Sequence, residues 1–423
     1  MVKIQIQNCL EEKIKKEGIS KKDWEQAQKK ADKGIEKLEQ RRKKHELGFF
    51  DIQNDSELLN SINSFAKKSK GKFENIIVLG IGGSSLGVQA LFSALLPANW
   101  NNREKKQRNN LPKMFFIDHM DSEYIDEIFS TLEAKKTLLV VISKSGSTIE
   151  PMSVLFAVLK NFPAENIVTI TDPQKGLLRD LSDNFKFTSF PVPKNIGGRF
   201  SVLTAVGLLP MALMGLNIEK FLEGAKEAEK NWRNSKKNPA RDLAIAQYLL
   251  DTKHQKNISV FFPYSKKLEK LAEWYIQLLA ESIGKNDETG PTPIKAVGPT
   301  DQHAQVQLFM EGPNNKLHIF VEVEEMASKL KVPAHKMLGH LDYLANKTVH
   351  QILQAERMAT TEAFTQMKKP NITISLAQLN EKTLADLIYT LQAQVALLGE
   401  LYEVDAFNQP GVEIGKKLTK KYL

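Results

Sequence analysis

A single cysteine in 423 residues, Cys9, excludes an intrachain disulfide and suits a reducing cytoplasm. No Cys/His pairs stand at ligand spacing, so no zinc site is expected. Long apolar runs are missing as well. The longest, residues 202–216, is short and interrupted by Gly207, Pro210 and Gly215, which leaves no candidate membrane span. Residues 1–5 carry no apolar core of a secretion signal, and a cytoplasmic location is expected. Aromatic residues are sparse, at 8%, and none interleaves with the one dense basic cluster, Arg41-Arg42-Lys43-Lys44. Single-stranded nucleic acid would find no stacking platform there.

What remains is an ordinary globular composition, 42% hydrophobic and 26% charged, long enough for two domains. The net charge of +9 is concentrated: residues 1–46 hold 14 Lys/Arg against 9 Asp/Glu, five of the nine. Mixed signs at helical spacing read as a solvated helical leader over 1–50, and modest basicity also steers anionic substrates. Apolar strands then alternate with helices, at 75–81, 113–118, 137–143, 166–172 and 187–193. The pattern predicts α/β architecture with a five-stranded, mostly parallel, doubly wound sheet in a domain over 51–200. A second domain, over 201–405, is expected around a smaller sheet with strands at 258–262, 317–323 and 372–376 and helices near 268–283, 341–367 and 381–401. The tail, 406–423, reads as a helix docking on the body.

Two strand-to-helix turns carry the chemistry. Gly80-Ile81-Gly82-Gly83-Ser84-Ser85-Leu86-Gly87 follows one buried strand, and Ser143-Lys144-Ser145-Gly146-Ser147-Thr148 follows another. Free N–H groups and the positive helix end favour an anion at such turns, and glycine lets it approach closely. Glycine also serves strand-to-helix packing alone, so either turn by itself says little. The spacing is not G-x-G-x-x-G, and G-x-x-x-x-G-K-[ST] is absent, which argues against dinucleotides and nucleoside triphosphates. Hydroxyl side chains across both loops fit a phosphomonoester better.

Four further segments hold candidate groups. Gln277 and Glu281 lie one helical turn apart, with Gly284 as a C-terminal cap, a setting suited to a general base but also to a surface glutamate. Arg199, in Gly197-Gly198-Arg199-Phe200-Ser201, is a permanent cation able to hold an oxyanion. His303 stands in a Pro/Gly-rich loop and suits a general acid. Lys416 ends Gln409-Pro410-Gly411-Val412-Glu413-Ile414-Gly415-Lys416. Each alone is as well read as a surface residue.

Together, in this order, the segments G-I-G-G-S-S-L-G, S-K-S-G-S-T-I-E-P, G-G-R-F-S, Q-L-L-A-E-S-I-G-K, Q-H and N-Q-P-G-V-E-I-G-K resemble the glucose-6-phosphate isomerases, especially the shorter bacterial form, over residues 76–416. The resemblance implies two sugar-isomerase-type α/β sandwiches. It also implies reversible isomerisation of glucose 6-phosphate and fructose 6-phosphate through a cis-enediolate, with no metal or organic cofactor, by a cytoplasmic homodimer of glycolysis and gluconeogenesis.

Residue by residue, it implies that Gly83, Ser84, Ser143, Lys144, Ser145 and Thr148 bind the sugar phosphate, with Gln277 and Gln409 lining the site. Glu281 is then the base, Arg199 the enediolate's cation, and His303 with Lys416 the pair that opens and closes the ring, Glu150 orienting Lys416. The histidine loop is expected to reach the neighbouring subunit's site. One departure stands out: many family members have Gly-Thr-Asn-Gly-Gln-His where this chain has Gly298-Pro299-Thr300-Asp301-Gln302-His303. Two other readings share the cradles, a phosphosugar sensor without catalysis and an isomerase of mannose or amino-sugar phosphates. The sensor would need no Glu281, Arg199 and Lys416 set, and a nucleic-acid or membrane partner is not expected.

Overall fold

The computed structural model describes every residue except Met1 and Ser235. The chain divides into two compact units, Glu39–Lys226 and the pair of segments Met1–Leu38 and Glu227–Leu423. The boundary after Lys226 differs from the expected division at 200/201, because the helix Ala205–Leu213, buried along most of its length, packs on the helices Ser56–Ser69 and Leu86–Leu95 of the earlier segment. The leader is likewise not one helical piece. It opens on a short strand, β1 (Lys3–Gln5), and its helix Lys21–Lys43 crosses from one unit into the other.

In the unit Glu39–Lys226, strands β2 (Asn75–Leu79), β3 (Lys113–Ile117), β4 (Thr137–Ser143), β5 (Ile167–Thr171) and β6 (Thr188–Pro191) form one parallel sheet in the order β3-β2-β4-β5-β6. Strands β2, β4 and β5 are buried along their whole length, which is why they read as continuous apolar runs rather than alternating ones. Ile77, Leu79, Leu139, Val141 and Ile167 share a core with Met152, Leu155, Leu178 and Leu181 of the helices that follow. Their alternates Ile76, Val78, Leu138 and Val140 are equally buried on the other face, so helices cover both sides. The chain leaves β2 for β3 on one side and returns as β4 on the other. Open α/β sheets bind ligands outside the carboxyl ends of the strands at such a reversal, here between β2 and β4.

The second unit also has five strands, not the smaller sheet expected. To β7 (Ile258–Pro263), β9 (Lys316–Glu325) and β10 (Asn371–Gln378) it adds β8 (Thr292–Lys295) and the antiparallel edge strand β1, in the order β1-β10-β9-β7-β8. Both additions are edge strands of three or four residues, too short to leave a periodic apolar signature. The expected helix at 341–367 is shorter, Val349–Gln366, and begins at a Thr348/Gln351 capping box. Its central helix, Glu381–Tyr402, is buried from Leu384 to Gly399.

Two expectations about surfaces are corrected. The tail helix Glu413–Tyr422 does not dock: Ile414 is 70% and Tyr422 80% exposed. Arg42, in the basic cluster, is not solvated. Its guanidinium is buried, donating to the Asp51 carboxylate and the Phe50 carbonyl, because the chain turns back over it at Gly48–Asn54. Cys9 is a buried thiol that donates to the Asn371 carbonyl at 3.3 Å.

Candidate active site

The first unit gathers its candidates at the β2/β4 reversal. Strand β2 delivers residues 80–85, a single 3-10 turn at Gly82–Ser84, and β4 delivers Ser143. A Cβ on Gly80 would lie 2.9 Å from the Ser84 side chain and 3.1 Å from the Ile142 carbonyl, so the two loops meet only because Gly80 has none. Gly83 brings in a third segment: a Cβ there would sit 2.3 Å from the Gly198 carbonyl carbon and 2.7 Å from the Arg199 nitrogen. Thus one backbone-to-backbone approach sets Arg199, whose side chain is buried with its guanidinium carbon 5.7 Å from the centre of the Phe200 ring.

The second loop is a hydroxyl cluster. Thr148 Oγ1 lies 3.0 Å from Ser143 Oγ and 3.2 Å from Ser145 Oγ, while the Ser147 N–H donates to Ser145 Oγ at 3.3 Å. Gly146, at φ +66°, makes the turn, and its carbonyl accepts from Leu178 N at 3.0 Å. The helix Ile149–Val158 starts at Thr148, so its free N–H groups face the cluster. Lys144 Nζ donates to the Lys194 carbonyl at 2.9 Å. Burial pushes its ammonium below the ordinary lysine range, with the Asp172 carboxylate opposing. A desolvated cation in the same loop as a hydroxyl cluster and a helix start can hold an oxyanion.

The second unit places its candidates at opposite ends of its sheet. In the helix Glu269–Ile283, Gln277 Nε2 donates to Glu281 Oε1 at 2.9 Å, so the expected pair is formed. Gln277 Oε1 is buried without a hydrogen-bond partner, a free acceptor beside the carboxylate. Lys285, which the sequence reading left without a role, donates to the Glu281 carbonyl at 2.6 Å and to the Asn408 carbonyl at 2.5 Å. That puts Gln409 and the root of the tail at the Glu281 end. Lys416 itself is exposed and paired with Glu413 at 2.7 Å.

His303 lies elsewhere. It sits in the first turn of the helix Thr300–Glu311, after β8, where Gly298 N donates to the Pro263 carbonyl at the carboxyl end of β7. Glu281, twelve residues along a helix that sets out from that same end, is carried on the order of 18 Å away along the axis. Within one chain, therefore, the base candidate and the histidine do not meet. The histidine turn is held by Tyr264, whose hydroxyl donates to Gln302 Oε1 at 2.5 Å and whose ring occupies the space a Cβ on Gly298 would need. Burial pushes the Tyr264 phenol up to about 12, so it stays a donor. Sequence reasoning passed over Tyr264 and Lys285 because the contacts to Gln302 and to Asn408 that single them out are distant in sequence.

Among the described residues, no group of three or more His, Cys, Asp or Glu side chains is placed to hold a metal ion, and no helix is long and apolar enough to cross a membrane.

Residues 53–423 match the family model described as phosphoglucose isomerase. A glucose-6-phosphate isomerase of Carboxydothermus hydrogenoformans is 39% identical over 437 residues, covering 99% of this chain and 94% of its own. Among solved structures, a hypothetical protein from Thermus thermophilus matches with a TM-score of 0.87 and 33% identity, over 100% of this chain and 99% of that one. A glucose-6-phosphate isomerase from Chlamydia trachomatis, with a TM-score of 0.75 at 23% identity over 86% of this chain and 72% of its own, shares the doubly wound fold. With a family match over residues 53–423, which takes in the whole first sheet, the loops after β2 and β4 and the Glu281 helix, the chain belongs to the phosphoglucose isomerase family.

Proposed function

We infer that the chain interconverts glucose 6-phosphate and fructose 6-phosphate reversibly, as an aldose-ketose isomerase. The observation that carries the reading is the family match across residues 53–423, which spans every candidate group. The substrate's phosphate is held by Ser84, Ser143, Lys144, Ser145 and Thr148, with the Gly83 backbone beside them. In this reading Lys416 and His303 open the pyranose ring by moving a proton between the ring oxygen and O1. Glu281 then takes the proton from C2, leaving a cis-enediolate whose charge Arg199 holds, and returns it to C1. Gln277 steadies Glu281, and Gln409 lines the sugar. The sugar carbonyl supplies the acidity, and Arg199 the charge stabilisation, so the scheme calls for no metal or organic cofactor.

A homodimer and a cytoplasmic location complete the proposal. Two features support the dimer. Because the helix direction separates Glu281 from His303, a complete site needs the histidine of another copy. Around that histidine's unit, Leu308, Met337, Tyr343, Val349 and Met358 are all at least 49% exposed, apolar surface that a second copy would cover.

The test is incubation of the purified protein with fructose 6-phosphate in deuterated water, followed by NMR. Glucose 6-phosphate carrying deuterium at C2 is the expected product. No product and no exchange would favour a phosphosugar sensor, whereas faster turnover of mannose 6-phosphate would reassign the substrate.

A further inference from the structure

Lys285 stands just beyond the helix Glu269–Ile283, next to its cap Gly284. The last carbonyls of a helix have no N–H of the helix to accept and carry the negative end of its dipole. One of these is the Glu281 carbonyl, and the Lys285 ammonium satisfies it at 2.6 Å. The same ammonium donates at 2.5 Å to the carbonyl of Asn408, 123 positions further along the chain. Asn408 precedes Gln409, and the tail beyond it is exposed, with the helix Glu413–Tyr422 carrying Lys416. A single cation is therefore shared between the turn that presents Glu281 and the root of the segment that presents Lys416.

We propose that Lys285 is a positioning residue that couples the two proton-handling groups, fixing the last turn under Glu281 and anchoring the Lys416 tail at Asn408. The proposal rests on the isomerase reading above, in which Glu281 moves the C2 proton and Lys416 serves ring opening. Lys285 touches backbone carbonyls and is not itself a catalytic residue. Loss of the shared ammonium loosens the last turn, and a tail held less firmly at its root samples positions from which Lys416 misses the ring. The phosphate-holding residues belong to the other compact unit and keep their own contacts.

These features separate positioning from general stability. Lys285→Met, in the full chain, should lower kcat on the order of 10²-fold while leaving KM for fructose 6-phosphate within about threefold, the loss expected of groups misplaced by about 1 Å. Amide hydrogen exchange over residues 409–416 should quicken by about tenfold, because one anchor of a locally unfolding segment is gone. Lys285→Arg, whose fork still reaches carbonyl oxygens, should restore at least about a tenth of wild-type kcat and the slow tail exchange. Should the Met variant not fold, Lys285→Gln, with an amide donor for one carbonyl, takes its place. Unchanged tail exchange in the Met or Gln variant overturns the anchor. Faster exchange with kcat within threefold of wild type overturns the coupling. A wild-type protein without isomerase activity would instead defeat the isomerase reading, and the exchange measurement would still decide the anchor.

Discussion

Gly83→Ala probes the approach on which the first unit's site depends. The added Cβ would lie 2.3 Å from the Gly198 carbonyl carbon, 2.4 Å from its oxygen and 2.7 Å from the Arg199 nitrogen. Ordinary contact begins near 3.4 Å, so the loops must part by about 1 Å, and the obstacle is backbone rather than a side chain that can swing away. Forcing extra volume into such a contact costs about 1–3 kcal/mol of stability. The functional loss should be the larger effect. Arg199 rides on the displaced backbone, and a misplacement of about 1 Å at a charge-stabilising group lowers kcat/KM on the order of 10²-fold, equivalent to about 2.7 kcal/mol.

The assay is kcat and KM for fructose 6-phosphate beside thermal unfolding, with Gly198→Ala as the stability control. Gly198 is in the same contact, yet a Cβ on it meets nothing within 4 Å, so that variant should unfold within about 0.5 kcal/mol of wild type. Gly83→Ala with kcat/KM within threefold of wild type would refute the claim that the Gly83–Gly198 approach sets Arg199. Loss of activity in Gly83→Ala together with an equal destabilisation of Gly198→Ala would refute it too, since the damage would then follow glycine loss rather than the clash.

Replacing Ser145 and Thr148 together by Ala removes two charge-assisted hydrogen bonds worth about 1.5–3 kcal/mol each; KM should rise by at least about 10²-fold, and an unchanged KM would sink the phosphate assignment. Tyr264→Phe deletes the hydroxyl that holds Gln302 but keeps the ring under Gly298. It should lower kcat by about tenfold with KM little changed, an outcome read from steady-state kinetics. His318 is buried between Phe309 and Phe364 with neither ring nitrogen hydrogen-bonded, and burial, aided by Lys316 and Lys369, pushes its pKa from 6.5 to about 3. The unfolded chain thus binds a proton that the fold refuses, stability falls as pH drops from about 6.5 towards about 3 by up to about 4–5 kcal/mol, and His318→Phe should flatten that acid limb in urea titrations at pH 4 and 7. Mixing Glu281→Gln with His303→Ala chains and refolding them should recover about a quarter of wild-type activity, since half the random dimers then hold one intact site; no recovery despite subunit mixing would mean the sites are not shared.

The parallel sheet of the first unit was legible because a strand buried on both faces must be apolar throughout: the expected strand at 137–143 matches β4 to the residue. Edge strands offer no such signal. Lys3–Gln5 and Thr292–Lys295 are recruited by neighbours already in place, so the second sheet looked smaller than it is. The tail misled for a related reason. Its pattern of Ile414, Leu418 and Tyr422 is that of a helix with an apolar face, and periodicity says that such a face will be covered without saying by what. In the single chain it is bare, and only a second copy, a bound substrate or another contact can supply the cover.

The candidate site divides along a similar line. Groups whose chemistry is carried by residue type within one turn, such as Gln277 with Glu281 or Ser143, Ser145 and Thr148, could be read as pairs and clusters before any coordinates, and the hydrogen bonds among them are formed. What sequence could not convey is direction. A helix that follows β7 must run back against the strands, so a residue at its end lies far from one at the start of the next helix, however closely the motifs follow each other in the chain. Glu281 and His303 are 22 positions apart and at opposite ends of one sheet. That separation is what makes a shared site the economical reading: a monomer would have to break β8 from β7 to bring the two together, whereas a two-fold dimer needs only to present one chain's histidine end to the other's glutamate end.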